Sequence, residues 1–265
     1  MNSAAIAILQ QHLCVALAAP PDEARRLFHG RGRQWPGLEQ VTVDWLQGVL
    51  LVSLFRQPGE VELAELRQML LALTREPVWQ HSGAGHLLLQ HRYLPDSTTE
   101  FLWGELIDGG EIVEDGLRYR LDFARKQNSG LFLDMRLGRS WVRERAAGLR
   151  VLNLFAYTCA FSVAALQGGA RQVVNVDMSQ GAIATGQQNH QLNSLGAGAS
   201  FMAHDIFSTW GKITRGGPYD LIIVDPPSYQ KGSFVATKDY ARLLRRLPDL
   251  LMPGGHALLC LNAPE

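Results

Sequence analysis

The stretch VLNLFAYTCAFSVAALQGGARQVVNVD (residues 151–177) decides the fold. A short apolar run, VLNLF, turns through AYTC into an apolar helical pattern, FSVAALQGG, which stops on glycine. A second apolar run, QVVNVD, follows and ends on Asp177. Strand, helix and strand within one such span describe a right-handed crossover between parallel strands. The alternation continues downstream. Residues 181–196 read as a helix and SFMAHD (200–205) as a strand. YDLIIVD (219–225) is the strongest strand, DYARLLRRLPDLLM (239–252) a helix despite Pro248, and HALLCLN (256–262) a fifth strand. Five strands with intervening helices predict an α/β, doubly wound, Rossmann-like sheet.

Upstream the pattern differs. Residues 1–18 carry apolar residues at helical spacing (Ile6, Leu9, Leu13, Leu17), and Asp22 is placed to cap a short helix, EARRLF. VTVDWL (41–46) and VLLVSLF (49–55) flank Gln47-Gly48 as a hairpin. Residues 60–74 read as a helix, HLLLQHRYL (86–94) as a strand, and 111–124 as a hairpin about Asp115-Gly116. The expected organisation is a smaller N-terminal α+β auxiliary domain, 1–125, contacting substrate or RNA. A cofactor-binding domain, 126–265, follows, entered through the helix SWVRERAAG.

Composition narrows the classes. The 265 residues carry a formal net charge of zero and are 46% hydrophobic, enough for one sizeable core and a smaller second one. Lysine occurs only at Lys126, Lys212, Lys231 and Lys238, so arginine dominates the basic residues, and arginine suits bidentate recognition of phosphate or carboxylate. Cys14, Cys159 and Cys260 are far apart and form no CxxC pair, which fits a reducing compartment. The N-terminus lacks a positive n-region and its apolar run is interrupted by Gln10, Gln11 and His12, so no signal peptide is read. Without an 18-residue apolar run no transmembrane helix is expected, and the chain reads as cytoplasmic. His81, His86 and His91 recur at a spacing that suits no usual zinc set, and no metal is expected.

In an open α/β sheet the ligand sits beyond the carboxyl ends of the strands. Those ends here are Phe155-Ala156-Tyr157-Thr158-Cys159, Asp177-Met178-Ser179, Asp205-Ile206 and Asp225-Pro226-Pro227-Ser228-Tyr229. Asp177 lies 22 residues beyond Phe155, where a carboxylate can accept the two hydroxyls of a ribose; capping of the next helix is the competing reading. The first turn, FAYTCAFS, has no glycine before Gly168. A pyrophosphate needs the close backbone approach that GxGxxG allows, so NAD and FAD are disfavoured. A nucleoside ligand without phosphates remains.

With that, the run VLNLFAYTCAFSVAALQGGARQVVNVDMS, then HD, then DPPSY, resembles class I S-adenosylmethionine-dependent methyltransferases. More narrowly, it is similar to the bacterial 23S rRNA methyltransferase family that modifies large-subunit cytosine or guanine. KQNSGLFLDMRLGR (126–139) resembles the segment of that family that closes over the cofactor, and residues 26–55 its strand-rich auxiliary domain. The resemblance implies that Phe132, Asp134 and Arg136 flank the cofactor, with Arg136 near its carboxylate. It implies that Phe155, Ala156, Tyr157 and Thr158 line the methionine side. Asp177 would hold the ribose, with Met178 against the adenine and Ser179 in the same turn. Asp205 would accept the adenine amino group, and Ile206 would pack on the ring. Asp225, Pro226, Pro227 and Tyr229 would meet the methyl acceptor: proline fixes φ and removes an N–H, leaving carbonyls to accept from a base, and Tyr229 could stack on it.

Three departures matter. Methylation at cytosine C5 needs a cysteine nucleophile. Counting from Gly254-Gly255, Asn262 stands where the resemblance places it, and Cys260 falls two residues early. Nitrogen is therefore favoured over cytosine C5. The fold family has two more strands after the fifth, so the last strands are expected to be missing and an edge exposed. Asn153 stands where many such enzymes have an acidic residue.

RNA, with rRNA first, is the expected partner. Arg25, Arg26, His29, Arg31 and Arg33, beside Trp35, are the candidate contact, against a plain solvated loop. Arg242, Arg245 and Arg246 read as an ordinary solvated face. A non-catalytic cofactor-binding module, or a protein or small-molecule acceptor, is the alternative function. The oligomeric state stays open, a dimer included.

Overall fold

The computed structural model describes residues 1–123, 128–227, 229–230 and 234–261, the last-named pair of residues 229 and 230 by backbone only. Lys126, Ser228, Asn262 and the ring of Tyr229, all named above, therefore lie outside what is described. The chain divides into two compact units, Met1–Gly116 with Arg120–Asp134, and Leu117–Tyr119 with Met135–Glu265.

The first unit opens with α1 (Ser3–Ala18), whose Leu9, Leu13 and Leu17 are fully buried. Then come β1 (Arg25–His29), β2 (Val41–Trp45), β3 (Val49–Leu54), α2 (Glu60–Leu73), α3 (Pro77–Ser82), β4 (His86–His91), β5 (Thr99–Trp103), β6 (Gly109–Glu114) and β7 (Leu117–Asp122), whose first three residues belong to the second unit. Strands β1 to β5 form one sheet in that order. Alternate residues (Phe28; Val41, Val43; Leu50, Val52, Leu54; Leu87, Leu89) pack with Leu9, Leu13, Leu66, Leu70 and Trp79 into one core, the period-2 signature of a sheet face under helices. Both expected hairpins form. Gln47 and Gly48 have φ of 53° and 101°, and Asp115 and Gly116 51° and 76°, the paired positive values of a type I′ turn.

One local reading is corrected here. EARRLF is not a helix: Arg25–His29 is a strand, antiparallel to β2, with Arg26 opposite Asp44. The cross-strand ion pair and the burial of Phe28 outweigh any helical tendency of five residues. Strand β5 and helix α3 also went unread in the sequence.

The second unit contains α4 (Arg136–Arg145), β8 (Arg150–Leu154), α5 (Ala160–Gln167), β9 (Gln172–Asp177), α6 (Gln180–Leu192), β10 (Ala199–Ala203), α7 (Trp210–Gly216), β11 (Tyr219–Val224), β12 (Tyr229–Gln230), β13 (Phe234–Val235), α8 (Ala236–Leu244) and β14 (Leu251–Leu259). The main sheet runs β10-β9-β8-β11-β14, all parallel. Counted within the unit this is the order 3-2-1-4-5 of a doubly wound fold, with its switch point between β8 and β11. The helix expected over 239–252 is corrected: α8 stops at Leu244 and Pro248 sits in a separate 3₁₀ turn, Leu247–Asp249, because proline cannot donate to the preceding turn. Among the described residues no helix is long and apolar enough to cross a membrane.

Candidate active site

The parallel register aligns the strand ends. Leu154 is paired with Val176 on one side and Val224 on the other, so Phe155, Asp177 and Asp225 are the next residues in step across three neighbouring strands. Ala203 is opposite Asp177, which sets Asp205 two residues further out on β10's exit. The sheet thus brings Phe155, Asp177, Asp205 and Asp225 to one edge, at the switch point.

The turn after β8 does without glycine. Phe155, Tyr157 and Cys159 have φ of 57°, 49° and 59°, the left-handed region, which costs a non-glycine residue about 1 kcal/mol each. Tethers offset this strain. Ala156 N–H donates to the carbonyl of Val176 at 3.1 Å, Cys159 N–H to that of Ala156 at 2.7 Å, and Tyr157 N–H to Asp177 Oδ2 at 2.8 Å. From the other side, the buried Asn189 donates through Nδ2 to the carbonyl of Thr158 at 3.0 Å. The turn is therefore held in its left-handed path without glycine, from β9 on one side and α6 on the other.

Helix α6 presses directly on this turn. A Cβ at Gly186 would sit 2.5 Å from Cys159 Sγ and 3.3 Å from the carbonyl carbon of Thr158, so only glycine fits. One turn on, His190 completes a buried polar chain. Asn153 Nδ2 donates to Asn175 Oδ1 (2.9 Å), Asn175 Nδ2 to Ser162 Oγ (3.0 Å), and Ser162 lies 2.8 Å from His190 Nε2. His190 Nδ1 is 2.7 Å from the carbonyl of Gly186. That carbonyl can only accept, so Nδ1 carries the proton and Nε2 accepts from Ser162. Burial pushes the His190 pKa down, which agrees with a neutral ring. Asn153, the departure from the acidic pattern, is thus the start of a chain ending under the turn.

Asp177 is 7% exposed. Its Oδ2 accepts from Tyr157 N–H and its Oδ1 from Ser179 N–H, each at 2.8 Å. Burial raises its pKa, and the two backbone bonds oppose that rise. A carboxylate offers about four acceptor positions, so these bonds leave capacity for a pair of ligand hydroxyls. The capping reading goes to a neighbour: Ser179, not Asp177, caps α6, its Oγ accepting from Ala182 N–H at 3.2 Å. Met178 is 39% exposed beside Asp177, and Ile206 is buried at 4%. Asp205 Oδ1 accepts from Ser208 N–H at 2.8 Å, fixing the turn after β10.

Beyond β11, Asp225 and Pro227 are partly buried and Pro226 is buried. Two aromatics unread in the sequence back this segment. Phe234 stacks edge-on against Phe155 with centroids 4.8 Å apart, and Tyr240 lies edge-on to Phe234 at 6.5 Å. The Tyr240 hydroxyl donates to the carbonyl of Cys260 at 2.8 Å, and burial first, then the charges of Cys260 and Asp225 nearby, push its pKa up. An aromatic pair spaced for a strand and the next helix was the available signal. Cys159 is fully buried, and burial with the charge of Asp177 raises its thiol far above the reactive range. Cys260 is 9% exposed just past β14. Of the remaining expected residues, Phe132 and Asp134 lie in the first unit, Asp134 within the 3₁₀ turn Leu133–Met135, whereas Arg136 opens α4 in the second. Among the described residues no cluster of three or more potential ligands could hold a metal ion.

A family model for S-adenosylmethionine-dependent methyltransferases matches residues 25–265. Over 232 residues the chain is 32% identical to ribosomal RNA large subunit methyltransferase K/L of Hahella chejuensis, covering 84% of this chain and 32% of that protein. Over 242 residues it is 33% identical to ribosomal RNA large subunit methyltransferase I of Serratia proteamaculans, covering 87% and 58%. The chain thus spans a third to just over half the length of these relatives. A solved S-adenosylmethionine-dependent methyltransferase from Streptococcus mutans superposes with a TM-score of 0.80 at 29% identity, over 97% of this chain and 66% of that one. A methyltransferase structure complexed with SAH, SMU.776, superposes with a TM-score of 0.80 at 28% identity, over 96% and 66%. The aligned strand ends, the tethered turn and a match over nearly the whole chain agree: the chain belongs to the S-adenosylmethionine-dependent methyltransferase family.

Proposed function

We propose that the protein transfers a methyl group from S-adenosylmethionine to a base nitrogen of RNA, with large-subunit ribosomal RNA as the substrate, in the cytoplasm. The observation that carries this reading is the alignment of Phe155, Asp177 and Asp225 at one sheet edge, with Asp177 tied to the strained turn. The names of the ribosomal RNA methyltransferases it resembles supply the substrate class.

When bound, the cofactor supplies an electrophilic sulfonium methyl group. Asp177 takes the ribose hydroxyls on its remaining acceptor positions, with Met178 and Ile206 on the adenine faces and Ser179 closing the same turn. Asp205 accepts the adenine amino group. The backbone of Phe155, Ala156, Tyr157 and Thr158 lines the methionine side, with Arg136 toward the carboxylate. Asp225 and the carbonyls of Pro226 and Pro227 accept N–H bonds from the target base, and Tyr229 stacks on it. Accepting those bonds aims the nitrogen lone pair in line with the methyl group, and positioning is the main source of rate in such a displacement. The proton released by the methylated nitrogen passes to Asp225 or solvent. Burial of Cys159 and the placement of Cys260 past the strand, its carbonyl held by Tyr240, favour nitrogen over a cysteine-assisted carbon. The first unit serves as the auxiliary, RNA-contacting domain.

Mass mapping of ribosomal RNA from cells lacking the protein tests this. Loss of a methyl group from one large-subunit base is expected. An unchanged RNA would move the acceptor to protein or small molecules, and loss of 5-methylcytosine would hand the nucleophile's role to Cys260.

A further inference from the structure

The basic stretch near the N-terminus does not form one surface. Arg26 donates to Asp44 through Nε at 2.7 Å and Nη2 at 3.2 Å, and Trp35 packs against Phe28 and His12 with centroids 5.5 and 5.6 Å away. Those two side chains are committed to the first unit's own fold. The second unit concentrates positive charge elsewhere. Residues 210–216 and 236–246 together carry six cations, Lys212, Arg215, Lys238, Arg242, Arg245 and Arg246, against one carboxylate, in a chain whose charges balance. That carboxylate, Asp239, is engaged locally, its Oδ2 accepting from Val235 N–H at 2.8 Å.

Arg242 and Arg246 are not the ordinary solvated face expected from the sequence. The guanidinium carbon of Arg242 lies 4.3 Å from the centroid of Phe207, and that of Arg246 lies 4.2 Å from Trp210. The two arginines are four residues apart and the two rings three, about one turn in each case, so the stacks are neighbours. Beneath them Leu243 and Leu247 share one core with Ile206 and Trp210, which fixes α8 against the start of α7. Arg242 and Arg245 are exposed, and Arg246 is half-buried where it covers the Trp210 ring. Among the described residues no side-chain hydrogen bond or ion pair joins any of the three to the protein. No nitrogen of Arg246 is buried without a partner, so its N–H groups reach water.

An aromatic face holds a guanidinium through the ring's π-surface and leaves the N–H edge to a planar, bidentate acceptor. Two such edges a turn apart, with no carboxylate between them, suit successive anionic groups along a chain. The place in the fold suits the substrate strand. Phe207 directly follows Asp205 and Ile206 at the candidate site, and α8 directly follows the segment proposed to hold the target base, with Tyr240 of α8 edge-on to Phe234. We propose that Arg242 and Arg246, ordered on Phe207 and Trp210 and flanked by Arg245, form a docking site for the phosphate backbone of single-stranded RNA beside the target base. The inference rests on the RNA reading above and adds the surface that the substrate uses.

The test is fluorescence anisotropy with a labelled single-stranded oligoribonucleotide, titrated at several salt concentrations. Arg242→Gln with Arg246→Gln should reduce the salt slope by roughly 1.4, two phosphate contacts at about 0.7 each, which is about 25-fold weaker binding at 0.1 M salt. Arg242→Gln alone should reduce the slope by about 0.7. Arg242 is exposed and makes no protein hydrogen bond, so misfolding does not explain that loss. Arg242→Lys with Arg246→Lys keeps the charge without the fork, and should keep the slope and recover part of the affinity. Affinity for S-adenosylhomocysteine should not change in any of these variants. Wild-type affinity and slope in the double glutamine variant would overturn the docking site and leave RNA methylation standing. No RNA binding by the wild type would overturn both. Binding to anionic lipid vesicles that the double glutamine variant loses, with RNA binding unchanged, would also overturn the site.

Discussion

Replacing Asp177 with Ala removes the acceptors of two 2.8 Å backbone bonds and the proposed ribose contacts at once. Each hydrogen bond to a charged group contributes roughly 1.5–3 kcal/mol, so loss of two ribose contacts projects to about 3 kcal/mol or more. At 1.4 kcal/mol per decade, that is about a hundredfold weaker cofactor binding. The N–H groups of Tyr157 and Ser179 also lose their partner, so the turn holding φ of 49° at Tyr157 should loosen and the melting temperature fall. Isothermal titration with S-adenosylhomocysteine, beside thermal unfolding, separates the two effects. Asp177→Asn is the informative control. It keeps the size and one acceptor but turns an NH₂ toward one backbone donor, so it should retain more stability than Ala and still bind weakly. The raised Asp177 pKa sets a pH dependence. The ionised form accepts the hydroxyls, so affinity should fall as pH drops through that raised value, above the ordinary 3.8. For stability the sign is opposite: burial penalises the ionised form, so this group's contribution is full below 3.8 and is lost as pH rises through its folded value. A folded Asp177→Ala variant with unchanged affinity would refute the ribose role.

Gly186→Ala should destabilise the second unit by about 1–3 kcal/mol and weaken cofactor binding, because its Cβ meets Cys159 at 2.5 Å. Adding Cys159→Gly removes the clashing atoms and suits φ of 59°, so thermal unfolding should show partial recovery. His190, held neutral by burial, should make stability fall as pH drops below 6.5: the unfolded chain then binds the proton that the folded ring resists. Denaturant melts across that range should show the slope in the wild type and a smaller one in His190→Gln. Tyr240→Phe should lower stability by roughly 1 kcal/mol through loss of its bond to the Cys260 carbonyl, measured by chemical denaturation.

The parallel sheet was legible because its first four strands read as short apolar runs, each ending on aspartate or an aromatic, and strands covered on both faces need such runs. The hairpins were legible because Gln47-Gly48 and Asp115-Gly116 have the chemistry of tight turns. Strand β1 was not, since its identity depends on Arg26 meeting Asp44 across the sheet, a contact that local spacing does not encode. At the site, Asp177, Asp205 and Asp225 announced themselves as strand-end carboxylates. The supports did not: Gly186, Asn189 and His190 share one face of α6 at helical spacing, but the groups they meet across the fold are 27 or more positions away. The missing glycines after β8 were read correctly as a break from the dinucleotide pattern. That three ordinary residues would take the left-handed conformation there depends on tethers from β9 and α6.

The most direct test of the central claim is transfer of tritium from methyl-labelled S-adenosylmethionine by the purified protein to ribosomal RNA isolated from cells lacking it. Label is expected in the large-subunit RNA, released by nuclease digestion as a base methylated on nitrogen, with a loss of at least about a hundredfold in rate for Asp225→Ala. Label in the protein fraction alone, or equal transfer by Asp225→Ala, would contradict it.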